Sequence, residues 1–317
     1  MTGRNSMATI MDGAKLAEEI RLRVRSGVEE LQTYGVETGL ALLLVGENPA
    51  SLQYFSATLQ AGKKAGINVH EYRLPATATV NEVLGVISTV NRDETINGLL
   101  VLLPLPQRIN TRRVVNAINP EKDIDGLGAI SVGRLAADES TFQLMKEIRP
   151  GTTNHTLPPV SGFLPCTPFG VMRLLEHYQI GLKGKHAVII GKSFAVGKPL
   201  SLMMLAKEAT VTVCHRETGD LAQFTRQADI LCSATGKTGL ITADMVKPGA
   251  VVVDIGINVL ADGTIIGDVD YLPVAQKASF ITPVPGGAGP VTIAMLLENT
   301  LLSAQRSERS NSPFVMV

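Results

Sequence analysis

A chain of 317 residues, 45% apolar and 18% charged, has the material for two domains with buried cores. Its 29 Lys and Arg balance its 29 Asp and Glu, so the basic excess of a nucleic-acid-binding surface is missing; with no Trp and 4% aromatics, so is a base-stacking platform. No apolar run has the length of a membrane span, the first residues lack the flank and core of a signal peptide, and three scattered cysteines and five histidines show neither a disulfide framework nor metal-ligand spacing. A cytoplasmic protein with no membrane, nucleic-acid or metal partner is the expectation.

Strand and helix patterns alternate, which indicates an α/β fold with mostly parallel sheets. Asp12–Glu30 reads as an amphipathic helix. Leu40–Val45 is an unbroken apolar run, the pattern of a parallel strand buried on both faces. Gly46-Glu47-Asn48-Pro49 ends it, and Ser51 is placed to cap the helix that follows. On that helix Leu52, Phe55 and Leu59 share one face, and Gln53, Ser56 and Gln60 a second. A third carries Tyr54 and Thr58, one turn apart. A site at the carboxyl end of a parallel strand would see that third face. Taken alone, an ordinary amphipathic helix with a half-buried tyrosine is the simpler explanation.

Asn68–Leu74 follows as a strand, and Val80–Asn91 as a helix begun near Thr79. Ile96–Leu103 is a buried strand that Pro104-Leu105-Pro106 stops. After a short helix over Arg112–Ile118, Lys122-Asp123-Ile124-Asp125-Gly126 forms a loop; its Asp125 either orients a ligand's N–H groups or makes a turn. Residues 136–162 are dense in Ser, Thr, Asn, Pro and Gly, with Phe142, Met145 and Ile148 hinting at one helical turn. They read as a boundary or a lid.

From Thr167 the rhythm resumes with a helix over Gly170–Tyr178 and a strand over Lys185–Ile190. The turn Gly191–Gly197 leads into a helix near Lys198-Pro199. Strands over Ala209–Cys214, Asp229–Ala234 and Val251–Ile255 end at His215-Arg216, Thr235-Gly236 and Gly256-Ile257-Asn258. An irregular Gly/Pro stretch, Ile281–Pro290, precedes a helix over Val291–Leu302, and the tail from Arg306 reads as frayed.

Gly191–Gly197 sits where a nucleotide-binding turn belongs, since glycine lets the backbone approach a pyrophosphate and a helix N-terminus favours its charge. Its spacing is not G-x-G-x-x-G, and the pattern alone leaves a cofactor turn and a plain strand–helix turn evenly matched. Lys192 and Arg216 are placed to pair with a 2′-phosphate, which favours NADP. Glu217 keeps NAD open, and solvated surface charge would explain both cations. Cys166, in Pro165-Cys166-Thr167-Pro168, precedes a helix that can lower a thiol pKa. With no His or acid near it in sequence, it reads as a packed small residue.

Five segments in order carry a resemblance. They are Ser51-x-x-Tyr54, Gly98-Leu99-Leu100-Val101-x-Leu103-Pro104-Leu105-Pro106, Lys122–Gly126, Pro165–Pro168, and Ile281-Thr282-Pro283-Val284-Pro285-Gly286-Gly287-x-Gly289-Pro290. Together they resemble the methylenetetrahydrofolate dehydrogenase/methenyltetrahydrofolate cyclohydrolase family from about Ile10 to Leu302, apart from 136–162. The resemblance implies two α/β domains with mostly parallel sheets and a cleft between them. A folate-binding domain would span 1–135 and 290–317, 136–162 would connect, and a Rossmann-like NAD(P) domain would span 163–289. It implies a homodimer, with a tetrahydrofolate derivative as substrate. On matching positions Tyr54 would stack on the pterin, Asp125 would hold its polar edge, and Pro285, Gly286 and Gly287 would line the site. Gly191, Ser193, Val196 and Gly197 would cradle the cofactor phosphates, with Lys192, His215, Arg216, Thr235, Gly236 and Ile257 completing the cofactor edge.

The chain departs from that pattern at the catalytic centre. Thr58 stands at the family's lysine and Leu102 at its glutamine, while Leu127-Gly128 replace an aromatic and a histidine. Oxidising the one-carbon bridge needs alignment against the nicotinamide, and no proton need leave. Hydrolysing the methenyl product needs activated water, for which a tuned lysine and a glutamine are suited. The expectation is a dehydrogenase with cyclohydrolase activity weak or absent. A non-redox methylene transfer to a specialised acceptor, and a catalytically silent folate-binding paralogue, are the alternatives.

Overall fold

The computed structural model describes residues 7–137 and 162–311. It divides into two compact units, one of Glu18–Cys166 with Ile293–Val317, the other of Met1–Ala17 with Thr167–Thr292. The described chain opens with a two-residue strand, β1 (Thr9–Ile10), and a long helix, α1 (Gly13–Thr33).

The first unit is built on β2 (Gly39–Val45), α2 (Pro49–Lys64), β3 (Asn68–Leu74), α3 (Val80–Arg92) and β4 (Gly98–Val101). Its sheet is parallel, in the order β3-β2-β4. Central β2 is buried along its whole length, which is why it reads as an unbroken apolar run. The chain goes from β2 to one neighbour and crosses to the other for β4, so the carboxyl ends of β2 and β4 flank a topological switch point. Helix α2 is capped by Asn48, whose side chain accepts from the Ser51 N–H at 3.1 Å, and not by Ser51 itself. The Ser51 hydroxyl instead donates to the Leu103 carbonyl (3.0 Å) and ties α2 to the loop after β4. Helix α3 starts with a reciprocal Thr79–Glu82 capping box. Two short helices follow, α4 (Thr111–Val115) and α5 (Ala129–Ala137); the second was not read from the sequence. Phe142, Met145 and Ile148 lie outside the described residues.

The second unit contains α6 (Cys166–His177), whose first residue belongs to the first unit, then β5 (His186–Ile190), α7 (Gly197–Leu205), β6 (Thr210–Cys214) and α8 (Leu221–Thr225). It continues with β7 (Ile230–Ser233), β8 (Val251–Asp254), the hairpin β9 (Asn258–Val259) and β10 (Ile265–Ile266), α9 (Tyr271–Ala275) and β11 (Phe280–Ile281). Six of these strands form a parallel sheet in the order β1-β11-β8-β7-β5-β6. A core including Val188, Ile190, Leu231 and Val252 packs against it. Its switch point falls at β5 and β7, because the chain goes from β5 to β6 and then crosses back. The last helix, α10 (Ala288–Asn311), runs well past Arg306, where the tail reads as frayed.

The expected division at 1–135 differs at its start. The chain through Ala17 groups with the second unit because β1 pairs with β11, and because the Gly13 and Ala14 N–H groups donate to the Gly286 carbonyl at 2.9 and 3.0 Å. A two-residue strand carries too little periodicity to be seen in sequence. Among the described residues no helix is long and apolar enough to cross a membrane, and no group of His, Cys, Asp and Glu is arranged to hold a metal ion.

Leu42 is fully buried at the centre of β2. Leu42→Ala should destabilise the fold by about 2–5 kcal/mol, read as a lower urea midpoint at unchanged m value; an unshifted midpoint would contradict the central placement of β2.

Candidate active site

Within the first unit, Tyr54, Asp125 and Cys166 come together. Tyr54 is half-buried on α2, and burial lifts its phenol well above the ordinary range, with the charges of Asp125 and Cys166 adding to the effect. Asp125 sits in a loop folded around Asp123, a residue the sequence reading passed over. The Asp123 carboxylate accepts from the N–H groups of Leu127 (3.2 Å) and Gly128 (2.9 Å) and from the Ser131 hydroxyl (2.8 Å). Gly126 turns the chain there at φ +66°, with the Phe163 and Leu164 backbone so close that no Cβ fits. Asn299, from α10, donates to the Ile124 carbonyl (2.8 Å) and reaches Cys166 Sγ (3.4 Å), clamping the loop from the other side.

This packing tunes two acids. Burial raises Asp123 to about 6, against its own hydrogen-bond donors. Burial and then the Asp123 charge raise Asp125 to about 7, against hydrogen bonding from Cys166. Asp125 therefore titrates near neutrality and can accept from a ligand N–H or donate to a ring nitrogen. Cys166 is a packed residue, as read from the sequence. It is fully buried, its thiol donates to the Ile124 carbonyl (3.1 Å), and burial beside Asp125 raises its pKa well above the ordinary thiol value.

Thr58 and Leu102 offer no such group. Thr58 shares the Tyr54 face of the helix, but it is fully buried and its hydroxyl donates back to the Tyr54 carbonyl at 2.8 Å. Of the two residues on this face, Tyr54 is half-buried, while Thr58 is closed off completely. Leu102 is 2% exposed, and its N–H extends the β2–β4 ladder to the Leu43 carbonyl (2.9 Å).

In the second unit the predicted cofactor residues all follow the carboxyl ends of neighbouring strands. After β5, Gly191 takes φ +114° and donates to the Cys214 carbonyl at the end of β6 (2.9 Å). A Cβ on Gly191 would strike the Ala234 carbonyl, and one on Gly197 would strike the Gly191 carbonyl. Glycine is thus demanded by close backbone approach even though the spacing is unusual. The Ser193 hydroxyl accepts from the Val196 (3.1 Å) and Gly197 (3.4 Å) N–H groups and shapes the first turn of α7, while Lys192 is exposed beside it. After β6, His215 Nδ1 accepts from the Glu217 N–H (3.2 Å), and exposed Arg216 pairs with Glu217 at 2.6 Å. After β7, Thr235 is held by Asp268 and Gly236 turns at φ +65°. After β8, Ile257 is exposed. After β11, Pro285 is exposed, while Gly286 and Gly287 pack under the start of α1. Asp268 and Asp254 are the residues here that the sequence reading missed.

A glycine turn from strand to helix at the switch point of a parallel sheet defines the second unit as a dinucleotide-binding type of α/β domain. Comparison makes the assignment specific. Residues 11–125 match the tetrahydrofolate dehydrogenase/cyclohydrolase catalytic domain, and residues 165–308 match the NAD(P)-binding domain of the same enzymes. The bifunctional protein FolD of Helicobacter hepaticus is 47% identical over 93% of this chain and 96% of its own length. The crystal structure of the FolD dehydrogenase/cyclohydrolase of Campylobacter jejuni is 45% identical, with a TM-score of 0.84 over 94% of this chain and 99% of its own. That of Trypanosoma brucei, complexed with NADP and an inhibitor, is 32% identical with a TM-score of 0.85 over 96% and 99%. The chain belongs to the tetrahydrofolate dehydrogenase/cyclohydrolase family.

Asp123 and Asp125 bind protons more tightly in the folded chain than in the unfolded one, so their contribution to stability is full at low pH. It is lost as pH rises through about 6 and about 7. The urea midpoint should therefore fall between about pH 5 and about pH 8, and Asp125→Asn should reduce the slope. An identical slope in the variant would show that Asp125 is not buried as described.

Proposed function

We propose that this chain oxidises 5,10-methylenetetrahydrofolate to 5,10-methenyltetrahydrofolate with NADP as hydride acceptor, NAD being the alternative. The observation that carries the reading is a complete cofactor edge in a chain whose buried Thr58 and Leu102 have no group that can take up and release a proton near neutral pH. The second-unit residues fit the dinucleotide. Gly191 and Gly197 leave no room for a Cβ, which keeps the strand–helix turn bare at both ends where a phosphate would approach the start of α7; Lys192 on that turn and Arg216 after β6 are exposed and available to a 2′-phosphate. Bound there, NADP supplies the hydride acceptor. On the folate side Tyr54 offers its ring to the pterin and Asp125 its carboxyl to the pterin's polar edge. Pro285, Gly286 and Gly287 are assigned to the folate as well, and the active enzyme is a homodimer.

Hydride removal needs orientation, which these groups provide. Hydrolysis of the methenyl product needs proton transfer to and from water, worth about 10²–10⁴-fold. Thr58 spends its hydroxyl on its own helix and Leu102 has no polar atom. We therefore assign hydrolysis as the weak activity. The relatives' bifunctional names favour a second reading, in which hydrolysis is retained; Asp125, poised at about 7, is the group that would serve it.

The purified protein, given methylenetetrahydrofolate with NADP or NAD, should accumulate methenyl absorbance that then decays at close to the spontaneous rate. Thr58→Lys/Leu102→Gln should speed that decay by about 10²-fold or more. Rapid decay in the unaltered protein, abolished by Asp125→Asn, establishes the second reading instead. No reduction of either cofactor sinks the dehydrogenase assignment and leaves methylene transfer or a silent folate-binding role.

A further inference from the structure

Asp268 is fully buried, and five hydrogen bonds from four residues in two stretches of the chain converge on its carboxylate. Oδ2 accepts from the Ser233 hydroxyl, the Thr235 N–H and the Thr235 hydroxyl, each at 2.8 Å. Oδ1 accepts from the Lys237 N–H (2.9 Å) and from Asn258 Nδ2 (3.2 Å). Its neighbour Asp254, at the end of β8 and 4% exposed, accepts from the N–H groups of Gly256 (3.0 Å), Asp268 (3.0 Å) and Val269 (2.9 Å). The two carboxylates interlock with two glycines. A Cβ on Gly256 would overlap the Asp268 carboxylate, and one on Gly267 would overlap that of Asp254.

The groups so held are the loops after β7 and β8, which carry Thr235, Gly236 and Ile257 at the cofactor edge. A dry carboxylate is a poor way to stabilise a core, since its desolvation offsets most of what its hydrogen bonds contribute. It is a good way to aim backbone, because hydrogen bonds to an ionised acceptor are short, strong and directional. We propose that Asp268 is the positioning residue of the cofactor edge. By fastening Thr235, Lys237 and Asn258 to one buried carboxylate, it sets the loops after β7 and β8 in the geometry that receives the dinucleotide. The proposal rests on the NAD(P) reading of the second unit.

The test measures the affinities of the whole protein for NADPH, by the fluorescence of the bound nucleotide, and for tetrahydrofolate, by equilibrium dialysis. Amide exchange at Thr235 and Lys237 is followed in parallel. Asp268→Asn should weaken NADPH binding by about tenfold or more, leave tetrahydrofolate affinity within about twofold, and speed exchange at both amides. Ser233→Ala, which removes a single donor, should weaken NADPH binding by about threefold with little change in the unfolding midpoint; it decides the matter if Asp268→Asn does not fold. Unchanged NADPH affinity in the folded variants overturns the proposal. So does an equal loss of both affinities, which marks a purely structural role. An unaltered protein that binds no NADPH overturns the cofactor reading itself, and this inference with it.

Discussion

A buried carboxylate answered by backbone N–H groups is the interaction on which both site loops depend. In the first unit Asp123 draws Leu127, Gly128 and Ser131 around it, two residues from Asp125. In the second, Asp254 and Asp268 gather the chain after β7 and β8. Loops at the carboxyl ends of parallel strands have lost their ladder partners, and their N–H groups must find acceptors where water is scarce. An ionised acid supplies up to four acceptor sites at one point. It can therefore define a loop that has no regular structure of its own.

The consequence for chemistry differs between the units. Asp268 accepts five hydrogen bonds and serves as a fixed acceptor. Asp123 also has donors, yet burial still raises it, and its charge falls on Asp125 two residues away. The device that shapes the first loop thus brings the neighbouring acid close to neutrality. Cys166 limits the effect through hydrogen bonding to Asp125, and Asn299 holds Cys166 in place. Asp125 is thus set by the residues packed around it, Asp123 and Cys166 directly and Asn299 through Cys166.

Much of the scaffold was legible in the sequence and the loop chemistry was not. Central β2 showed as an apolar run because both of its faces are covered, and α3 was placed from Thr79 onward, where the structure has it begin. Strands β1 and β11, two residues each, left no trace, so the N-terminal segment was assigned to the other unit. The cap of α2 was misplaced by three residues because Asn48 and Ser51 are equally good capping residues in sequence. Asp123 and Asp268 escaped notice for a shared reason. No local pattern announces a carboxylate answered largely by backbone amides, whether its partners lie within eight residues, as for Asp123, or up to 35 away, as for Asp268. The glycine turn was found by position and doubted by spacing; the structure resolves this by showing which carbonyls the missing side chains would strike.

Thr58 shows where a helical wheel stops being informative. The wheel puts it beside Tyr54, and the same geometry would carry a longer side chain out past the tyrosine ring. A threonine ends within two bonds of its Cα, so its hydroxyl falls back on the carbonyl one turn earlier and the position closes over. Leu102 does the same on the β4 side, where an apolar side chain is drawn into the core that an amide would leave. Both residues are thus buried without a titratable group, and among Tyr54, Thr58, Leu102 and Asp125 it is Asp125 that is raised to about 7.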